Sequence, residues 1–350
     1  MTTTATDTTA KDTLRRRPVI GYLHERCLIT DRLRADLEEM GELRSVEPTA
    51  EELADVDVLC TFAGFFLDRD LLEAAPRLLA CVDLGTAIHC DVDAATERGI
   101  AVLHAPGANA QAVAEHTIGL ALALGNGIVR SDHRMRSGEF KLAHVRTWGM
   151  EFQGRTIGLV GFGHVARRVA RIAQAGLGMR VLVWCRQPEE AQAAGYEPVS
   201  LPDLMGTADV VSVHLALNPG TRGLLSGDLL CLMKSSALIV VTARVEVLDL
   251  DTLTELVVQQ RIAGAALDTW PNHDPDYSSP LMDNSNVVLT EANAGLTDVA
   301  ARNMADAVAD AVRSALEGTR PVVATVVNPE AWPPRTRRAR PVTGPGRGPG

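Results

Sequence analysis

An α/β fold built on doubly wound parallel sheets is what this sequence predicts, and three observations predict it. Short apolar runs alternate with helical stretches along most of the 350 residues, the rhythm of strand and crossover helix that makes a parallel sheet covered on both faces. The run Thr156-Ile-Gly-Leu-Val-Gly161-Phe-Gly163-His-Val-Ala166 is an apolar strand that turns through two glycines into a helix. A hydrophobic content of 46% with 22% charged residues is that of a globular chain, long enough for two domains.

The elements follow in order. Residues 1–17 are polar and Thr-rich, so they read as a flexible leader without the apolar core of a signal peptide. From Pro18, strands are expected at 19–22, 56–61, 78–82 and 100–103, and helices at 31–40, 68–75 and 92–98, the helices stopped by Gly41, Pro76 and Gly99. The turn Ala105-Pro-Gly-Ala-Asn109 leads into an Ala/Leu-rich helix at 111–128. Too apolar for a solvated surface, this helix is expected to be buried between domains or against a second subunit. A second set follows, with strands at 156–160, 180–184, 209–214, 237–242, 262–268 and 286–290. Its helices follow the glycine turn and recur near 201–205, at 251–260 and at 297–316, which is the Rossmann order of elements. Residues 331–350, mostly Pro, Gly and Arg, read as a disordered tail.

Several function classes drop out. A formal charge of −10 disfavours nucleic acid as a partner. The longest apolar stretch, 118–124, is too short to span a bilayer, so no membrane role is expected. The six cysteines form no CxxC pair and no cluster with histidine, so they read as reduced thiols of a cytoplasmic protein with no metal site.

In the glycine turn, Gly161 permits the tight bend, Gly163 admits a pyrophosphate and Ala166 keeps helix and strand close. The helix beginning at His164 and Val165 offers free N–H groups to the phosphates. The next strand ends Val183-Trp184-Cys185-Arg186-Gln187. Cys185 stands where an NAD-binding chain has an acidic residue, and Arg186 can pair with a 2′-phosphate, so NADP(H) is favoured and NAD(H) is the alternative.

The motifs Asp93-Ala-Ala-Thr-Glu-Arg-Gly-Ile100, Pro106-Gly-Ala-Asn109, Val113-Ala-Glu-His116, His214-Leu-Ala-Leu-Asn-Pro, Thr242-Ala-Arg244 and Ala265-Ala-Leu-Asp268, with the glycine turn, occur in a set order. From about Pro18 to Arg320 the chain resembles the D-2-hydroxyacid dehydrogenases, the group of phosphoglycerate, glycerate and phosphite dehydrogenases. The resemblance implies a discontinuous substrate domain, 18–104 and 296–330, interrupted by a coenzyme domain at 105–295. It also implies a homodimer joined through the coenzyme domains. Arg244 falls on the position that holds the substrate carboxylate, Asp268 on one that binds the nicotinamide amide, and Thr242 and Ala243 line the nicotinamide pocket. His214 falls beside the adenosine side.

The chain departs from the family where the proton is moved. The family's Thr-Pro-His stretch reads Thr290-Glu291-Ala292, so the catalytic histidine is replaced by Ala292, and the glycine after the arginine is Val245, expected to crowd the cleft. The family's carboxylate aligns to His273, or to Asp274 with one residue inserted. An exchanged pair, His273 as donor with Glu291, or polarisation of the carbonyl by Asn293, are the alternatives. The substrate loop, Gly-x-Gly-x-Asp-Asn in the family, is Leu84-Gly85-Thr86-Ala87-Ile88-His89, with an anion-binding turn around Leu84, Gly85 and Thr86. The expected function is an NAD(P)-dependent oxidoreductase acting on a small anionic 2-oxo or 2-hydroxy acid, or a phosphonate-like substrate, in a specialised biosynthetic pathway. The alternative is an inactive dinucleotide-binding sensor or scaffold.

Overall fold

The computed structural model describes residues 16–23, 30–61, 65–84, 88–139, 148–271 and 274–334. The leader up to residue 15, the tail from 335, Gly85, Thr86 and His273 therefore lie outside the described residues. The chain forms two compact units, one of Met1–Ala105 with Met304–Gly350 and the other of Pro106–Asn303.

The first unit opens with β1 (Val19–Leu23), α1 (Asp31–Met40), β2 (Glu42–Val46), α2 (Ala50–Leu53) and β3 (Val58–Thr61). It continues through α3 (Arg69–Ala74), β4 (Ala80–Asp83), α4 (Val92–Arg98) and β5 (Ala101–His104). Thr30, Thr49, Asp68 and Asp91 cap the four helices with their side chains, satisfying N–H groups that a helix start leaves open. Asp57, buried just before β3, accepts the Val19 N–H at 2.8 Å and the Arg77 guanidinium at 2.8 Å, so one carboxylate ties together the starts of neighbouring strands.

The second unit begins with α5 (Ala110–Gly125) and α6 (Ile128–Arg136). The single helix expected at 111–128 is thus broken, because Gly127 adopts left-handed φ of 62° and the two segments bend by 61°. Its burial is also internal: Ala114, Ile118, Ala121 and Leu124 pack in one core with Ile157, Leu159, Val240 and Ala266 of the unit's own sheet. Then come β6 (Thr156–Val160), α7 (His164–Leu177), β7 (Arg180–Trp184), α8 (Pro188–Ala193), β8 (Glu197–Pro198) and α9 (Leu201–Thr207). The unit closes with β9 (Val210–Val213), α10 (Gly227–Leu230), β10 (Leu238–Val241), α11 (Leu250–Val258), β11 (Gly264–Leu267) and β12 (Val287–Leu289).

These strands make a seven-stranded sheet in the order β12-β11-β10-β9-β6-β7-β8, every pair parallel. Sequence order reverses between β6 and β9, the switch point at which open α/β sheets bind ligands beyond the carboxyl ends of their strands. β6, β9, β10 and β11 are buried along their whole length, as a sheet covered on both faces requires.

The chain continues through α12 (Asp298–Glu317), whose residues from Met304 onward belong to the first unit, to the edge strand β13 (Thr325–Val326) and a 3-10 turn at Pro329–Ala331. Ala305, Val308, Ala311, Val312 and Ala315 of α12 pack with Ile20, Leu37, Val82 and Leu103. The first unit's sheet has the order β13-β5-β4-β3-β1-β2, parallel except for β13. Buried Asn328 fastens the return: it accepts the Val102 N–H at 2.8 Å and donates to Ile100 O and Thr96 Oγ1, both at 2.9 Å.

Candidate cofactor and substrate site

The turn from β6 into α7 has the geometry of a phosphate cradle. Gly161 holds φ of +101°, and a Cβ there would lie 2.9 Å from the carbonyl oxygen of His214, so no side chain fits. Its N–H donates to Trp184 O at 2.8 Å, fixing the turn to β7. Phe162 is buried against the ring edge of Tyr196, and the Arg167 guanidinium stacks over it at 4.3 Å while also pairing with Glu190. Gly163 differs from Gly161. A Cβ on it would meet no atom within 4 Å, and α7 has no side-chain cap. The first N–H groups of α7, from the exposed His164 and half-buried Val165 onward, thus border open space of the kind a pyrophosphate fills, with Ala166 fully buried behind them.

At the end of β7, Cys185 donates its thiol to Gln187 O at 3.2 Å. Arg186 is exposed and makes no ion pair among the described residues.

The carboxyl ends of β9 to β12 collect the remaining polar side chains. His214 shares a 2.8 Å hydrogen bond between its Nε2 and Ser212 Oγ, and burial pushes its pKa down to about 4, so its imidazole is neutral at neutral pH. Thr242 Oγ1 lies 3.0 Å from Thr117 Oγ1. The single proton of Thr117 goes to Val113 O at 2.7 Å, which makes Thr242 the donor of that pair. Ala243 O accepts the Thr269 hydroxyl at 2.5 Å. The buried carboxylate of Asp268 accepts Thr290 Oγ1 at 2.6 Å and the N–H groups of Asn293 and Ala294, both at 3.2 Å. Three of its about four lone-pair positions are therefore taken by the loop that carries the expected catalytic position. His116 Nε2 stands 3.5 Å from Asp268 Oδ1 and 3.3 Å from Thr290 Oγ1. Asn293 Oδ1 is buried and has no hydrogen-bond partner among the described residues, an acceptor waiting for an N–H such as a carboxamide offers.

Just past β10, Arg244 donates from Nη2 to Glu246 Oε1 at 2.6 Å and from Nε to Glu246 Oε2 at 3.2 Å. The side chain of Val245 is buried in the unit's core rather than crowding a cleft, because the turn after β10 points it inward. Ala292 is exposed at φ of 59° and carries no group able to move a proton. Glu291 and Asp274 are exposed as well. In the first unit Leu84 is buried among core side chains, leaving only its backbone for a ligand. Residue type marks neither Glu246 nor His116 in the sequence: His116 stands in the motif Val113-Ala-Glu-His116, whereas only proximity to Arg244 marks Glu246.

Comparison with known proteins settles the family. The model of the D-isomer specific 2-hydroxyacid dehydrogenase NAD binding domain matches residues 118–293. The chain belongs to this family of oxidoreductases. Glyoxylate reductase of Thermococcus kodakarensis is 35% identical over 274 residues, 74% of this chain and 82% of that protein. D-3-Phosphoglycerate dehydrogenase of Methanocaldococcus jannaschii is 33% identical over 304 residues, 83% of this chain; the chain spans only 57% of that relative. Among solved structures, the acyclic imino acid reductase Bsp5, in complex with NADPH and D-Arg, superposes with a TM-score of 0.80 at 26% identity, covering 88% of this chain and 99% of that one. For a member of this family, the open cradle at Gly163 and the orphaned acceptor of Asn293 fit a nicotinamide dinucleotide.

Proposed function

We propose that this chain is an NADP(H)-preferring reductase of a small anionic 2-oxo acid or phosphonate-like acid, serving a specialised biosynthetic step, with NAD(H) as the weaker cofactor. The reading is carried by Arg244, a forked cation placed just beyond β10 in the same sheet whose β6–α7 turn leaves room for a pyrophosphate. Gly161, Gly163 and the first turn of α7 would hold the phosphates, Arg186 the 2′-phosphate, and Thr242 and Asn293 the nicotinamide end. The cofactor supplies the hydride when bound. Arg244 would fix the acid group of the substrate with its forked N–H groups, in the plane set by Glu246, whose Oε2 and Oε1 accept from Nε and Nη2.

A homodimer goes with this reading, supported by the apolar surface of α6 and its surroundings, where Ile128, Val129, Met135 and Trp148 are exposed. A cytoplasmic setting goes with the thiols of Cys81, Cys90, Cys185 and Cys231, none of which is in a disulfide. A second reading follows from Ala292. A protonated imine accepts hydride without a proton donor, and Bsp5 is an imino acid reductase.

The test is oxidation of NADPH and NADH with glyoxylate, hydroxypyruvate, larger 2-oxo acids and phosphonate analogues, each with and without ammonia or amines. Turnover of a 2-oxo acid alone supports the first reading, and turnover only with amine supports the second. Cofactor-dependent thermal stabilisation with no turnover would point instead to a dinucleotide-binding sensor.

A further inference from the structure

The chain after β10 runs Arg244-Val245-Glu246-Val247, charged and apolar residues in alternation. Val245 and Val247 are buried in the core of the second unit, and the two charged heads that alternate with them meet at 2.6 Å. The backbone of this turn is tied down: Val247 N–H donates to Arg244 O at 3.2 Å, Gly223 N–H to Glu246 O at 2.9 Å and Leu225 N–H to Val247 O at 3.0 Å. The pair therefore sits on a fixed support. Glu246 keeps only 12% of its side chain exposed and Arg244 31%, so both charges are partly withdrawn from water. There a charge is felt strongly by a neighbour and is screened little by salt.

A touching guanidinium and carboxylate present both signs of charge side by side. A plain 2-oxo or 2-hydroxy acid brings one negative charge, which Arg244 attracts and Glu246 repels. A 2-amino or 2-imino acid brings both signs, its cationic nitrogen standing on the carbon that bears the carboxylate, so its charges are spaced as closely as those of the pair. We propose that Arg244 and Glu246 together recognise a zwitterion, the guanidinium meeting the ligand's carboxylate and the Glu246 carboxylate accepting from the N–H of its cationic nitrogen. Glu246 is then the specificity-determining residue, attracting the nitrogen-bearing acid and disfavouring the plain one. Ala292 agrees with this assignment, since a nitrogen that already carries its proton asks no side chain for one. The inference rests on the reading of Arg244 as the anchor of the acid group, and within that reading it selects the imine over the 2-oxo acid.

The experiment is calorimetric titration of the full chain, with and without NADPH, using paired ligands that differ only in ammonium against hydroxyl. The pairs are alanine and lactate, leucine and 2-hydroxyisocaproate, phenylalanine and phenyllactate, and glutamate and 2-hydroxyglutarate, each as both enantiomers. At least one amino acid is expected to bind about 10-fold or more tightly than its hydroxy partner, the worth of one charge-assisted hydrogen bond. Glu246→Gln should weaken that amino acid about 10-fold, by the same contact, and tighten the hydroxy acid several-fold, while Arg244→Ala should weaken both. If Glu246→Gln does not fold, the order within the wild-type pairs decides alone. Hydroxy acids that bind as tightly as their amino partners in every pair, or a Glu246→Gln protein in which both members shift the same way, overturn the proposal and leave Arg244 as an acid anchor. Failure of every ligand to bind overturns it as well. Unchanged affinity of both members for Arg244→Ala would sink the anchor reading itself, and the proposal with it.

Discussion

The guanidinium of Arg244 grips the carboxylate of Glu246, two residues further on, at 2.6 Å through Nη2 and 3.2 Å through Nε. The side chain proposed to hold an acidic substrate thus already carries an internal anion. Glu246 fixes the plane of the fork and competes for its charge.

Arg244→Ala should raise KM for the acid about 10-fold or more, as loss of a charge-assisted hydrogen bond of about 1.5–3 kcal/mol implies. Arg244→Lys should recover little of this, since an ammonium cannot present two parallel donors. Glu246→Gln removes the competing charge and should lower KM several-fold. Steady-state kinetics on the three variants check this, and a Glu246→Gln KM above wild type would show that orientation outweighs competition.

The two glycines of the cofactor turn should respond differently. Gly161→Ala forces a Cβ to within 2.9 Å of His214 O at φ of +101°, so it should lower the melting temperature as well as cofactor affinity. Gly163→Ala meets nothing in the protein and should melt like wild type, yet lose cofactor affinity because its methyl fills the phosphate space. Thermal scans with and without NADPH separate the two.

Cofactor choice should turn on the end of β7. Arg186→Ala should weaken NADPH about 10-fold and leave NADH little changed, the loss of about one charge-assisted contact. Cys185→Asp should reverse the preference, since a carboxylate there accepts ribose hydroxyls and repels a 2′-phosphate. Fluorescence titration with both cofactors is the measurement, and equal losses for both would assign Arg186 no role in selection.

Legibility in the sequence followed burial. The strands with continuous apolar runs, such as Thr156–Val160 and Leu238–Val241, were readable because both faces are covered. The edge strands Glu42–Val46, Glu197–Pro198 and Thr325–Val326 were not, since half-exposed or two-residue edges leave no apolar run to see. The break at Gly127 was hidden because a glycine inside an Ala/Leu-rich run reads as a tolerated helix residue until its φ is known. At the site, the glycine turn was legible because its spacing states its chemistry. The hold of Glu246 on Arg244 was not. It depends on how the chain turn after β10 aims two side chains, which no residue pattern encodes.

The neutral His214 makes stability depend on pH. Its folded pKa of about 4 lies below the ordinary histidine value of about 6.5, so the unfolded chain takes up a proton that the folded chain refuses. Above pH 6.5 neither state is protonated there and the contribution to stability is at its full value; as pH falls from 6.5 toward 4, the unfolded state gains protons first and stability is lost, at up to about 1.4 kcal/mol per pH unit. Below 4 the folded state protonates too and the loss levels off. His214→Gln removes the titrating group, so its unfolding free energy should be flatter than that of wild type across the same window. Urea titrations at half-unit steps from pH 7 to 4 measure the difference, and parallel curves for the two proteins would mean that solvent reaches His214 and that its imidazole protonates in the folded state.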